Sequence, residues 1–173
     1  MTPTSVARVR AVSLAVAPRT KVPFVAAVSL DEKDRPRFLK LSMVGGFTSD
    51  AIGKWAKANL APGCAVISDG LGCSAVTAAG CTHQPVVVGG RKPRDMPQFP
   101  WVNTVLGNLK TTLAGAYHSL KYRKYAAHYL AAFAYRFNRR FDLRGLVARL
   151  IVDVARCAPL KESVVRRHAE AGF

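Results

Sequence analysis

The sequence predicts an α/β fold in which strands come first and helices fill the second half of the chain. Three observations predict it: a dense apolar run at 22–30, a short apolar segment that stops at Asp69-Gly70, and helical periodicity from Trp101 onward. The order is strand, strand, helix, strand, short helix, strand, loop and then helices, without internal repeats. This order is typical of an α/β layer arrangement that begins with a hairpin.

The first half of the chain carries the predicted strands. VPFVAAVSL suits a buried strand, and FLKLSMV suits a second strand paired with it across the charged turn DEKDRPR. Thr48, Ser49 or Asp50 can cap the first helix, and LAPG ends it. The predicted elements are a strand at 22–30, a strand at 38–44, a helix from the cap to about Leu60, a strand at 64–70, a short helix at 71–79 and a strand at 85–90.

The second half is predicted to be helical after a loop rich in glycine and proline at 89–100. The segment 119–138 carries Tyr122, Tyr125, Tyr129 and Phe133 at spacings of three and four, which predicts an amphipathic helix. We interpret its aromatic stripe as core packing, with base stacking as the alternative.

Positive charge dominates the composition. Twenty-six Lys and Arg face ten Asp and Glu, a formal net charge of +16. Such a field attracts nucleic acid or an anionic membrane surface, and we favour nucleic acid. Residues 119–150 hold eight basic side chains and one acid, Asp142. Because a solvated face usually mixes charges of both signs, this segment suits contacts with phosphates.

Several classes of site and location are disfavoured. The four cysteines form no CxxC pair, and the lone Cys81-x-His83 lacks the second half of a zinc site, so we predict free thiols and no zinc. No apolar run reaches the length of a transmembrane helix, and we expect no membrane partner. Residues 1–20 read as an irregular start to a cytoplasmic protein rather than as a signal peptide.

The segment AVISDG places Asp69 at the end of a buried strand, where the ligand sites of α/β folds open. A carboxylate at that position can bind Mg²⁺. The alternative interpretation is an aspartate that caps the turn before Gly70. The start of the next long helix, WVNTVLGNLKTTL, offers amides and a lysine but no acid.

Four segments resemble the ISXO-like group of bacterial insertion-sequence transposases, which belong to the DDE superfamily. The segments are ISDG, the VNT and GNLK motifs after Trp101, LAGAYH, and YLAAFAYRFNRRFDL. The resemblance covers roughly 22–150 and implies an RNase H-like catalytic core with a mixed sheet and a helical C-terminal half. It implies DNA transposition, in which metal ions activate a water or a 3′-hydroxyl to attack a phosphodiester at insertion-sequence ends.

The resemblance also implies roles for particular residues. Asp69 matches the second metal-binding acid and Asn103 the third ligand, with Mg²⁺ or Mn²⁺ as the ion, and Lys110 would grip DNA near the scissile phosphate. His118 would contact the site or DNA, with a structural role as the alternative. The basic residues expected to contact DNA are Lys110, Lys121, Arg123, Lys124, Arg136, Arg139 and Arg140.

The sequence departs from the family pattern at its start. The first catalytic aspartate is expected on a strand before VPFVAAV, but residues 1–30 contain no Asp or Glu. We therefore predict an N-terminally truncated transposase with its first strand missing or replaced. The predicted divisions are an irregular start at 1–20, an incomplete RNase H-like domain at 21–150 and a helical tail at 151–173.

We accordingly expect a transposase domain whose partners are insertion-sequence DNA and target DNA. We expect this chain to lack catalytic activity. Family members act as oligomers on paired ends, so a homo-oligomer is a further expectation. The alternative is a non-catalytic remnant that binds transposon DNA or a full-length transposase. A third alternative is a product with no selected role.

Overall fold

A computed structural model describes residues 8–14, 22–69, 73–86, 98–116, 122–159 and 161–164; for 8–14, 116 and 122–124 we describe the backbone alone. The described strands are β1 (Arg8–Leu14), β2 (Phe24–Leu30), β3 (Pro36–Met43), β4 (Ala65–Ser68) and β5 (Thr82–Pro85). The described helices are α1 (Ser49–Asn59), a 3-10 helix (Cys73–Ala79), α2 (Pro100–Ala116), α3 (Tyr122–Asn138) and α4 (Leu143–Arg156).

The described strands form one mixed sheet in the order β3-β2-β1-β4-β5. The pairs β1–β2 and β2–β3 are antiparallel, whereas β1–β4 and β4–β5 are parallel. With helices packed on this sheet and filling the second half of the chain, the predicted fold class is confirmed. None of the helices in the described part of the chain is both long and apolar enough to cross a bilayer.

The start of the chain differs from the prediction. Residues 1–20 were expected to be irregular, but Arg8–Leu14 form β1 in the centre of the sheet. Its neighbours explain the difference, because β2 and β4 both supply backbone hydrogen-bond partners that a local pattern cannot reveal. The place of the first strand is thus filled by RVRAVSL, a strand without an acid.

The strand β2 separates two hydrophobic cores. Six of its residues are buried, and they alternate between the faces of the sheet as a pleated strand requires. Phe24, Ala26, Val28 and Leu30 face the core covered by α2 and α3, which we call the α2–α3 core. Val25 and Ala27 face the core covered by α1, which we call the α1 core. The prediction of a fully buried strand over this run is confirmed.

The first helix begins as predicted. The hydroxyl of Thr48 accepts a hydrogen bond from the backbone N–H of Ala51 at 3.3 Å, so Thr48 is the cap among the three candidates. The helix ends at Asn59, next to the predicted Leu60. Its buried residues, which include Ile52, Trp55 and Ala56, pack into the α1 core.

The fifth strand lies earlier in the chain than predicted. We expected a strand over the apolar residues 85–90, but β5 spans Thr82–Pro85. Pairing with β4 sets this register: the N–H of Thr82 donates to the carbonyl of Cys64 at 2.9 Å, and the N–H of Val86 donates to that of Ser68 at 2.8 Å. The described pairing of β5 with β4 runs from Thr82 to Pro85. The rest of the predicted strand and most of the predicted loop lie outside the described residues.

The helix α4 crosses the predicted boundary between residues 150 and 151. It starts at a cap, Asp142, whose carboxylate accepts from the N–H of Gly145 at 3.2 Å and pairs with Arg149 at 2.7 Å. The boundary, which was drawn where the family resemblance ends, stays a prediction. No residue of α4 is buried, and Leu143, Val147 and Val154 are each more than 60% exposed.

The C-terminal end of α3 is fastened to the middle of β3. The side-chain amide of Asn138 accepts from the N–H of Leu39 at 2.7 Å and donates to its carbonyl at 2.9 Å. The guanidinium of Arg140 donates to the carbonyls of Pro36, Arg37 and Phe137. These contacts hold the end of α3 on β3. Along the same helix, Tyr129, Phe133 and Phe137 pack on the α2–α3 core. The interpretation of the aromatic stripe of α3 as core packing is confirmed for Tyr129 and Phe133. Tyr125 contacts the rings of His128 and Tyr129, and the side chain of Tyr122 is not described.

Replacing Asn138 with Ala should destabilise the protein by about 1–3 kcal/mol, because both backbone groups of Leu39 lose their partner in a half-buried place. Urea unfolding followed by circular dichroism measures this free energy. Asn108→Ala, an exposed asparagine on α2, is the matched control and should stay within about 0.5 kcal/mol of the parent. Equal stability of the two variants would contradict the proposed anchoring role.

Candidate functional site

Asp69 follows directly on β4, at the carboxyl end of the strand. Along β4 the faces alternate: Val66 lies in the α1 core, Ile67 packs against the α2–α3 core, and Ser68 returns to the side of the 3-10 helix. The alternation assigns Asp69 to the face covered by α2. Asp69 itself is half-buried.

A hydrogen-bonded group lies beside Asp69. Ser68 is 0% exposed, and its Oγ lies 2.8 Å from Nε2 of His83 on β5. Ser68 also hydrogen-bonds the Cys73 thiol at the start of the 3-10 helix, and the charge of Asp69 is close enough to act on that thiol. The three side chains thus connect β4, β5 and the 3-10 helix next to Asp69 in the chain.

Burial shifts the pKa values of Cys73 and His83 in this group. Burial raises the pKa of the Cys73 thiol, the hydrogen bond from Ser68 opposes that rise, and the negative charge of Asp69 adds to it. Burial lowers the pKa of His83. A serine next to a histidine can be an activated nucleophile, but a nucleophile must meet its substrate. Since Ser68 is fully buried, we assign this group a structural role in holding the end of β4.

The cysteines are consistent with the sequence prediction. None of the four cysteines, all of them described, forms a disulfide; Cys64, Cys73 and Cys81 are buried and Cys157 is exposed. Buried thiols with a raised pKa, such as Cys73 and Cys81, are poor nucleophiles and poor metal ligands. The prediction of free thiols is confirmed.

The helix α2 turns different flanks to different parts of the sheet. The indole N–H of Trp101 donates to the carbonyl of Asp34 in the turn between β2 and β3, at 2.6 Å. Asn103 follows two residues later, about 200° around the helix, and the buried Val102 lies between the two flanks. Asn103 therefore lies on the flank away from that turn.

Lys110 shares the flank of Asn103, since residues seven apart on a helix differ in direction by about 20°. Asn103 is half-buried and Lys110 is exposed. Asp69 follows β4 on the same face of the sheet as α2. The grouping of Asp69, Asn103 and Lys110 in one cleft stays a prediction that this geometry favours.

The side chains that the structure describes do not fit a site for two divalent ions. Such a site needs several oxygen ligands, most of them carboxylates. Asp69 supplies one carboxylate and Asn103 one neutral amide oxygen, and the adjacent β1 has none. Within the described ranges no three His, Cys, Asp or Glu side chains lie close enough to share a metal ion.

The acids of the charged turn serve the fold. The carboxylate of Asp31 accepts hydrogen bonds from the backbone N–H groups of Lys33 and Arg35, at 2.9 and 2.8 Å, and pairs with the Arg35 side chain at 3.1 Å. The backbone bond from Arg35 contributes most to lowering the pKa of this carboxyl. The turn follows Leu30, opposite Arg8, at the far end of β1 from Leu14. Asp31 is therefore committed to the turn, away from the end of β4.

The predicted DNA-contacting residues lie in different environments. Arg136 is exposed. The Arg139 guanidinium lies 3.6 Å from the centroid of the Tyr135 ring, and that of Arg140 contacts backbone carbonyls and two phenylalanine rings. Both are thus part of the fold in a way that the sequence did not predict. His118 and Lys121 lie outside the described residues, and the side chains of Arg123 and Lys124 are not described.

Sequence reasoning missed two groupings. The contact of Ser68 with His83 joins two strands, and its only sequence signal is a serine placed before the strand-ending aspartate. A second grouping gathers aromatic and basic side chains around the turn between β2 and β3. These residues are separated by up to about a hundred positions in the chain, so no local motif could reveal them.

Comparison with known proteins identifies one family. The model of the ISXO2-like transposase domain matches residues 8–138, a range that includes β1, Asp69 and all of α2 and α3. The match starts at the first residue of β1, within the segment that was expected to be irregular. A search of curated proteins returns no match.

Lowering the pH should destabilise the protein through His83. A histidine whose pKa is lower in the folded than in the unfolded chain takes up protons on unfolding between the two pKa values, so the free energy of unfolding falls as the pH decreases below the ordinary value of 6.5. Urea unfolding at about pH 7.5 and about pH 5.5 tests this. His83→Gln should flatten the dependence, whereas His128→Gln, at an exposed position, should retain it. An unchanged dependence in His83→Gln would contradict the assignment.

Proposed function

Since this chain belongs to the ISXO2-like transposase domain family, we propose that it binds insertion-sequence DNA along the α2 flank that carries Asn103 and Lys110, beside Asp69. The family connects the chain with DNA transposition in general. The observation that carries the proposal is the match over 8–138, which includes β4, the residue Asp69 that follows it, and the whole of α2.

The charge of the chain supports DNA as the ligand. A formal net charge of +16 favours association with a polyanion, and phosphate contacts release counterions that make binding favourable at low salt. Lys110 and Arg136 are exposed and can meet phosphates directly. The DNA-contacting roles of Arg139 and Arg140 stay predictions, and variants at these positions need a stability control because both side chains also contact the fold.

We propose that this chain binds DNA without cleaving it. Transposases of the DDE superfamily generally use divalent metal ions, which activate the attacking oxygen when bound. Here Asp69 and Asn103 would hold a single Mg²⁺ or Mn²⁺ ion weakly, because together they offer one negative charge. The strand β1 borders β4 and would have to contribute the next carboxylate, but its sequence has none.

Lys110→Ala should weaken duplex binding and reduce its salt dependence. Loss of one phosphate contact is expected to lower the slope of log K against log salt by about 0.9. Fluorescence anisotropy of a labelled duplex at several salt concentrations measures the slope. The control is Lys57→Ala, an exposed lysine in the last turn of α1 on the other face of the sheet. Equal slopes for the two variants would refute the assigned role of Lys110.

Calorimetric titration with Mg²⁺ or Mn²⁺ should detect only weak binding, because a single carboxylate and an amide compete poorly with the hydration shell of the ion. Asp69→Asn should abolish what binding there is, while Asp50→Asn on α1 should leave it unchanged. Tight binding of two ions per chain would show that another carboxylate completes the site, and would overturn the proposal that this chain does not cleave DNA.

A further inference from the structure

A second cleft lies at the end of the sheet where β2 turns into β3. It has a volume of about 630 Å³ and lies between this turn, the first turn of α2 and the end of α3. Sites for small organic groups commonly measure about 300–1,000 Å³. The cleft lies beside the residues that follow Leu30, whereas Asp69 lies at the opposite end of the parallel strands. It is therefore separate from the site proposed above.

Two phenylalanine rings of this cleft are exposed to solvent. Phe141 is 85% exposed and Phe38 is 53% exposed, and both line the cleft together with Trp101. Exposed aromatic rings that lie close together form an apolar patch, and such patches often mark binding sites. Flat aromatic faces accept other flat rings by stacking, which makes them common partners of unpaired nucleobases.

Guanidinium groups accompany the rings. The Arg37 guanidinium carbon lies 5.5 Å from the centroid of the Phe38 ring, and that of Arg140 lies 4.3 Å from the centroid of the Phe141 ring. The charged residues that line the cleft are three arginines and one aspartate, which leaves a net charge of +2. An aromatic and cationic lining suits a ligand that combines a flat base with a phosphate.

The walls of the cleft are held in place before any ligand binds. The turn is fastened by the carboxylate of Asp31, and Trp101 is fixed by its hydrogen bond to Asp34. Arg140 is held by the backbone carbonyls of β3 and α3. A prearranged site loses little conformational entropy on binding, so a small contact area can give useful affinity.

We infer that this cleft binds an unpaired nucleotide of a DNA strand, with its base stacked on Phe38 or Phe141 and its phosphate at Arg37. The inference deepens the proposed function and rests on it, since DNA is the ligand in both. A base within an intact duplex is stacked on its neighbours and cannot reach these rings. The cleft therefore selects single-stranded or flipped nucleotides, while the Lys110 flank contacts duplex.

Trp101 provides a direct reporter of this cleft. The chain has two tryptophans, and Trp55 is buried in the α1 core on the other face of the sheet. In a Trp55→Phe background, titration with an oligothymidylate of about eight nucleotides should quench the emission of Trp101. The variant Phe38→Leu/Phe141→Leu should weaken that binding by roughly tenfold or more, because base stacking on aromatic side chains is lost. Both rings are exposed, and circular dichroism checks that the variants fold.

A second pair of variants tests the phosphate contact. Arg37→Ala should weaken oligothymidylate binding and its salt dependence. Arg144→Ala, an exposed arginine on α4 outside the cleft, should leave both unchanged. Lys110→Ala should weaken duplex binding without changing the midpoint of the Trp101 titration, which separates the two sites.

The outcomes distinguish the inference from the proposed function. Loss of oligothymidylate binding in the phenylalanine variant, with duplex binding intact, supports the cleft. Duplex binding without any response of Trp101 to the oligonucleotide overturns the cleft and leaves the proposed function standing. An oligonucleotide response without duplex binding overturns the proposed function alone, and failure of both ligands to bind overturns both.

Discussion

The burial of β2 on both faces is the constraint on which the rest of the structure depends. A strand whose residues alternate between two cores must be covered on both sides, because neither set of apolar side chains can face water at acceptable cost. The helix α1 covers one face and α2 with α3 covers the other. The position of α2 on this sheet then determines which of its flanks meets the turn between β2 and β3.

The basic side chains fall into two groups, those that contact the fold and those that are exposed to solvent. Some guanidinium groups, above all that of Arg140, are occupied by backbone carbonyls and aromatic rings, and they stabilise the junction of α3 with the sheet. Others, such as Lys110 and Arg136, remain exposed where a polyanion can reach them. A count of basic residues therefore overstates the number available to DNA, and the same motif can serve the fold and the ligand at once.

Elements that depend on local sequence patterns were predicted well, whereas elements that depend on pairing between distant strands were not. The strand at 22–30, the hairpin after it and the helix capped by Thr48 depend on local patterns of apolar and capping residues, and these predictions were confirmed. The strand β1 and the register of β5 depend on pairing with distant strands, which a local pattern does not encode. The position of Asp69 directly after a buried strand could be predicted, because an apolar run followed by Asp-Gly is a local pattern. Its role at a site stays a prediction.

The remaining features of both sites could not be predicted, since they join distant parts of the chain. Nothing local connects Ser68 with His83, or the turn after Leu30 with Phe141. The flank of α2 that carries Asn103 could be derived from helical periodicity, but its orientation required the contact of Trp101 with Asp34.

The amide of Asn138 has a consequence beyond holding a helix in place. In the described sheet, β3 is an outermost strand, and an outermost strand offers unpaired backbone groups to which another chain can add by strand pairing. The side-chain amide of Asn138 hydrogen-bonds both the N–H and the carbonyl of Leu39, as the backbone of a neighbouring strand would. Pro36 lacks a donor and Lys40 is charged and exposed, and both discourage strand addition. The side chain that anchors α3 thereby also helps to keep this basic, apolar-rich chain from assembling edge to edge into aggregates.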